Sequence, residues 1–174
     1  LQRFADRRNV FLLESMEGGE KWGRYSFVGV DPELLLDVNH AVPGQRGELE
    51  RLRRVYRGLR VASLPGLPRF VGGAVGYLGY EAIGEFERLP APKRAGEGVA
   101  PPRSRFLKAD RMIVFDNIRH TVKIVVSTWP AEFPSPSSAY AAAKTAIAEI
   151  EAALRRPAPP PVTRTYPEVN FTSN

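Results

Sequence analysis

The sequence predicts an α+β domain built on a mostly antiparallel sheet with flanking helices. Short runs rich in β-branched and aromatic residues recur at Val10–Glu14, Arg24–Val30, Leu34–Val38, Met112–Phe115 and Val122–Val126. Turns and hairpin loops join them, not regular strand–helix–strand units. Two helical periodicities, over 47–60 and 137–156, stand apart from the strands. At 174 residues, with 43% apolar and 10% aromatic content, the chain is long enough to bury a core and lies outside the disordered class.

Taken in order, residues 1–8 read as the end of a helix. The strands Val10–Glu14 and Arg24–Val30 flank a polar loop with a double glycine, and polar residues stand at both of its mouths: Glu14-Ser15 on one side, Arg24-Tyr25-Ser26 on the other. Asp31-Pro32 makes a turn, because proline restrains its predecessor and fixes its own φ. In GELERLRRVYRGLR, 47–60, Leu49, Leu52, Tyr56 and Leu59 fall on one helical face, with Arg51, Arg53, Arg54 and Arg57 over the rest. Gly72, Gly73, Gly76 and Gly79 interrupt a strand-like run. Their spacing is GxxGxxG and no phosphate-binding turn follows, so they mark a bulge or a close approach by another element. From Tyr80 the pattern turns helical, with Ile83, Phe86 and Glu87 leading to a stop at Pro90.

A polar loop, 90–103, precedes the clearest local signal, two apolar runs flanking Asp116–Thr121, which is an antiparallel hairpin with a long turn. His120 is then a surface turn residue. The alanine-rich segment 137–156 is a helix capped by Ser137 or Ser138, with Arg155-Arg156 at its negative end. PAPPPV, 157–162, cannot continue it and reads as a stiff linker. This divides the chain into a domain over 1–156 and a linker with the start of a further domain over 157–174. The missing initial Met leads to the expectation that the natural N-terminus lies upstream.

Composition narrows the chemistry. With no cysteine there is no disulfide, Cys-ligated zinc or thiol nucleophile in these residues, which fits a reducing, cytoplasmic setting. The two histidines, His40 and His120, lie far apart with no HxH or HExxH spacing. No window is long and apolar enough for a membrane helix, and the opening LQRFADRR does not read as a signal peptide, so none is expected. The net charge of +6 is arginine-dominated, with five lysines among 25 basic residues. The basic helix lacks the interleaved aromatics of a single-strand binder, so it reads as a solvated face and nucleic acid is not expected as a partner. No GxSxG occurs and neither histidine has an obvious partner. Glu85 and Glu87 point to different helix sides, and Asp110 and Asp116 lie at opposite ends of one strand. The residues themselves describe a binding or scaffolding domain without its own active site.

Four blocks carry a resemblance: FLLESMEGGEKWGRYSFVGVDP (11–32), GGAVGYLGYEAIGEFERLP (72–90), MIVFDNIRHTVKIVV (112–126) and the closing NFTSN (170–174). In this order they resemble the N-terminal region of anthranilate synthase component I, whose members share a Leu-Leu-Glu-Ser motif and an Arg-Tyr-Ser-Phe-like strand. The resemblance implies the N-terminal part of that family's two-sheet fold. It implies a tryptophan-biosynthetic lyase that converts chorismate and ammonia to anthranilate and pyruvate, with a glutamine amidotransferase subunit (component II) as ammonia source. The family's catalytic residues and Mg²⁺ site belong to a C-terminal chorismate-binding domain absent from these residues. No catalytic or metal-binding residue is therefore expected here, and this fragment alone is expected to be inactive and to bind tryptophan poorly. What the N-terminal region contributes is part of the feedback site for L-tryptophan. Carried over by motif, Ser15 and Glu14 belong to it, with Arg24, Tyr25 and Ser26 across the loop.

A tryptophan zwitterion needs an acceptor for its ammonium, donors for its carboxylate and an apolar slot for its indole. Glu14 meets the first need. Ser15, Ser26 or main-chain N–H groups meet the second, and Leu13 and Tyr25 wall the third. The plain alternative is that Glu14 and Ser15 only end a strand. The sister enzyme, aminodeoxychorismate synthase component I, a basic nucleic-acid module and a stand-alone tryptophan sensor are the other readings.

Overall fold

The computed structural model describes residues 2–4, 6–16, 22–38, 47–87, 102–158 and 160. His40, the linker 161–174 with its NFTSN block, and the tip of the 17–21 loop lie outside them.

Among the described residues, seven strands form two antiparallel sheets. Strands β1 (Val10–Met16), β2 (Trp22–Val30), β6 (Arg111–Asp116) and β7 (Thr121–Val126) lie in the order β1-β2-β6-β7. Strands β3 (Glu33–Val38), β4 (Ala74–Leu78) and β5 (Ser104–Lys108) lie in the order β3-β5-β4. The fold class is therefore α+β with antiparallel sheets, as the strand signals predict.

Side-chain alternation gives the four-stranded sheet two working faces. Val28, Val30 and Ile113 point outward and are buried under helix α2 (Pro136–Arg155), which supplies Ile150 and Ala153, while Phe4 fills the end of the layer. The buried positions of α2, Ala139, Ala146, Ile150 and Ala153, recur at helical spacing, so small side chains let the helix lie close to the sheet. The opposite face carries Phe11, Tyr25, Phe27, Met112, Val114 and Val125, and packs on Leu67, Phe70, Val71 and Val75 from the approach to β4 and from β4 itself. The three-stranded sheet and its lead-in segment thus lie against the inner face.

The β6–β7 hairpin forms over the predicted runs, and His120 is exposed in its turn at φ 51°. Several details differ from expectation, each for a physical reason. Helix α1 (Glu48–Tyr56) stops before Leu59: Arg57 already turns to an extended ψ of 121°, and Gly58 follows at φ 85°, outside the helical region. Where a helix end was expected over 1–8, the described residues form a 3₁₀ turn, Gln2–Phe4. The helix expected from Tyr80 is a 3₁₀ segment, Tyr80–Glu85, flanked by Gly79 and interrupted by Gly84. The cap of α2 is Ser135, not Ser137 or Ser138: Pro136 occupies the first helical position, and the Ser138 N–H donates to Ser135 Oγ at 3.2 Å. Strand β5, unforeseen in the sequence, is the centre of the second sheet.

Candidate functional site

The polar residues at the two mouths of the 14–26 loop become neighbours. Register pairs Leu13 with Phe27 and Glu14 with Ser26, then breaks, so that Ser15 alone stands against residues 23–25 before Met16 meets Trp22. Such a break takes main-chain groups out of the regular ladder. It does so where strand β1 is the edge of its sheet.

Beside this break a cleft of about 470 Å³ opens between the two sheets. Leu13, Glu14, Tyr25 and Phe27 line it from the first sheet; Phe70, Ala74, Val75, Gly76 and Phe106 line it from the other side. Phe27 meets Phe70 edge-on at 5.4 Å between ring centres, and Tyr25 lies tilted against Phe27 at 6.1 Å. The walls are aromatic and aliphatic, and the exposed Glu14 stands at their rim, opposite Ser26 in the ladder. The volume falls within the ~300–1,000 Å³ typical of small-molecule sites.

Of the six residues singled out in the sequence, three line this cleft: Leu13, Glu14 and Tyr25. Arg24 does not. Its guanidinium grips the buried carboxylate of Asp116 through Nε at 3.3 Å and Nη2 at 3.1 Å, and lies over the Tyr25 ring at 4.8 Å. Arg24 therefore braces Tyr25 from behind, and its pKa is raised chiefly by the hydrogen bond to Asp116. That same bond, aided by the Arg119 N–H at 3.1 Å, holds the Asp116 carboxyl below the ordinary carboxylate range against the opposing effect of burial. Ser26 alternates to the other face of β2, where its hydroxyl stands 3.5 Å from Asn117 Nδ2. Ser15 sits in β1 at the break; its side chain lies outside the described residues.

Phe27, Phe70, Ala74, Val75, Gly76 and Phe106 are the lining residues the sequence reading did not assign to the site. Phe27 was within reach of it, since it lies two residues beyond Tyr25 on one strand and shares its face. Phe70 and Phe106 had no such signal, because nothing local to them tells which sheet they meet.

Elsewhere the surface offers less. On α1 the Arg53 guanidinium pairs with Glu50 at 3.0 Å, and Tyr56, the helix's aromatic, turns edge-on to Trp129 at 5.7 Å and is not displayed for stacking. Among the described residues no group of three or more His, Asp or Glu side chains gathers to hold a metal ion, and no helix is long and apolar enough to cross a membrane.

The fold and cleft define a class first: an α+β domain of two facing antiparallel sheets with an aromatic cleft between them. Comparison with known proteins gives the particular family. No family profile matches the chain. Anthranilate synthase component 1 of Acetivibrio thermocellus is 36% identical over 137 residues, covering 72% of this chain and 27% of that protein. The Pseudomonas aeruginosa protein of the same name is 32% identical over 91% of this chain and 34% of its own length, and the Streptomyces coelicolor one 39% identical over 86% and 27%. The crystal structure of anthranilate synthase component I from Streptococcus pneumoniae TIGR4 superposes with a TM-score of 0.59 over 83% of this chain and 32% of its own, at 24% identity, a likeness of fold. The chain belongs to the anthranilate synthase component I family and spans about a third of the length of the curated relatives it matches.

Proposed function

We propose that this chain is the regulatory N-terminal part of an anthranilate synthase component I, and that the inter-sheet cleft receives L-tryptophan as feedback inhibitor. The observation that carries the proposal is the cleft itself, which sets aromatic walls beside Glu14 and a break in the strand ladder. The indole ring lies between Tyr25 and Phe27 on one side and Phe106 on the other. The ammonium group meets Glu14, and the carboxylate is held by main-chain N–H groups at the break and by the Ser15 hydroxyl. Tryptophan inhibits by binding one state of the whole enzyme better than the other.

The whole protein, in this proposal, is a cytoplasmic lyase that turns chorismate and ammonia into anthranilate and pyruvate. Its relatives bear the name component 1, which implies a second component; that partner would be the glutamine amidotransferase subunit. Mg²⁺ belongs, in the same proposal, to the chorismate-binding part of the whole protein.

Substitution in the full-length enzyme tests the site. Glu14→Gln, Ser15→Ala and Ser15→Phe should each raise the tryptophan concentration for half-inhibition about tenfold, equivalent to ~1.4 kcal/mol of lost binding, while anthranilate formation without tryptophan persists. Half-inhibition unmoved in all three variants would remove tryptophan from this cleft.

A further inference from the structure

A lysine that composition would place on the surface is buried at the junction of the two sheets. Lys108 closes strand β5 and is 4% exposed. Its Nζ donates to Glu132 Oε1 at 2.6 Å, stands 3.6 Å from Asp110 Oδ2, and lies 4.6 Å from the centre of the Trp129 ring. Trp129 in turn meets Tyr56 of α1 edge-on. One ammonium thus joins three pieces of chain: the central strand of the second sheet, the Ala109-Asp110 crossover between the sheets, and the connection from β7 to α2, against whose Trp129 α1 packs through Tyr56. A buried ammonium is costly unless well paired, so each of these partners is held to its place.

The same junction is stitched by the main chain. The Ala109 N–H donates to the Gly73 carbonyl at 2.8 Å, the Ser127 N–H to the Asp110 carbonyl at 2.8 Å, and the Ser127 hydroxyl to the Val71 carbonyl at 2.6 Å. Gly72 fits between them because a Cβ there would meet Ser127 Oγ at 3.2 Å and the Ala109 oxygen at 3.3 Å. The cleft begins immediately beyond this joint. Ala74, the register partner of Lys108, lines it, as does Phe106, two residues back along β5 and on the same face as Lys108. A small rotation at the joint therefore moves Phe106 and Val75 toward or away from Tyr25 and Phe27.

We propose that Lys108 is a positioning residue that fixes the opening of the inter-sheet cleft, and so the affinity for the ligand that fills it. The effect on affinity rests on the tryptophan reading above; the effect on the sheets does not. A site held open at one width binds more tightly than one that must be ordered on binding. Glu132 is the neutralising partner, and the Trp129 face stabilises the cation from the other side.

The test uses the full-length protein carrying Lys108→Met, Lys108→Arg or Glu132→Gln, with two readouts. The first is the tryptophan concentration for half-inhibition. The second is the inter-sheet distance between spin labels on Leu78→Cys in β4 and Val122→Cys in β7, both exposed, in a background free of other cysteines. Lys108→Met should broaden the distance distribution and raise the half-inhibitory concentration about tenfold. Lys108→Arg should restore both, because a guanidinium also pairs with a carboxylate and stacks on indole; Glu132→Gln should fall between. A purely structural lysine would lower thermal stability without moving the distance distribution or the inhibition. An unchanged distribution in Lys108→Met overturns the proposal. A broadened distribution in a protein whose wild type ignores tryptophan would uphold the positioning of the sheets and refute the tryptophan site instead.

Discussion

Gly76→Ala is the substitution that tests most sharply how the cleft is built. Gly76 lies in β4, pairs with Phe106 and lines the cleft. A Cβ at this position would fall 2.0 Å from the Arg105 carbonyl oxygen, 2.7 Å from the Phe106 Cα and 2.9 Å from the Arg105 carbonyl carbon. Ordinary contact begins at 3.4 Å, so the alanine is about 1.4 Å too close to main-chain atoms that have no rotamer to change. Because β4 is an edge strand, it yields: the Ala74–Leu78 ladder shifts or peels from β5. Overpacking of this kind costs ~1–3 kcal/mol, and a clash with backbone belongs at the upper end. A local loss of ~3 kcal/mol speeds amide exchange in β4 and β5 about a hundredfold. Hydrogen exchange read by mass spectrometry on peptides over 74–78 and 104–108 measures it directly, with α2 as the internal control. Gly29→Ala supplies the contrast. Its Cβ also comes within 2.0 Å of a neighbour, but that neighbour is the side chain of Phe11, which can rotate away. Its cost should be the smaller of the two. Exchange in β4 and β5 unchanged by Gly76→Ala would refute the close approach of the two strands, and with it the placement of Phe106 in the cleft.

Two further outcomes follow from the geometry. Asp116 has a folded pKa below its unfolded value, so its contribution to stability is fully present above the ordinary carboxylate range and is lost as pH falls through the lowered folded value. Arg24→Met removes the main cause of that lowering and leaves burial to act alone. The acid-unfolding midpoint, followed by Trp fluorescence, should move to higher pH, and an unmoved midpoint would contradict the assignment. Ser135→Ala deletes the oxygen that accepts from the Ser138 N–H, and should destabilise α2 by ~1 kcal/mol, seen as faster exchange of its first-turn amides. The same change at Ser137 should have almost no effect.

The strands most legible in the sequence are those whose partners lie close along the chain. The β6–β7 hairpin and the β1–β2 runs announce themselves by apolar stretches around a turn, while the structure supplies the register that sets Glu14 opposite Ser26. Strand β5 is illegible for the opposite reason. It carries Lys108, a residue type seldom buried, and Glu132, Asp110 and Trp129, brought in from elsewhere, make that burial tolerable. The α2 cap was written in the sequence but concealed among three serines; Pro136 at the first helical position singles out Ser135. The candidate site divides along the same line. Glu14 and Tyr25 were accessible through the loop that joins them, whereas Phe70 and Phe106 come from the other sheet, whose packing is a non-local fact. Arg24 illustrates a competing demand: a guanidinium near a pocket mouth looks like a ligand donor, yet the buried Asp116 carboxylate claims it first.

The most direct measurement supplies the full-length protein with chorismate, Mg²⁺ and ammonia and follows anthranilate by its fluorescence, with and without tryptophan. Anthranilate should form, and tryptophan should suppress its formation. Formation of aminodeoxychorismate in place of anthranilate, or anthranilate synthesis indifferent to tryptophan, would contradict the proposed function.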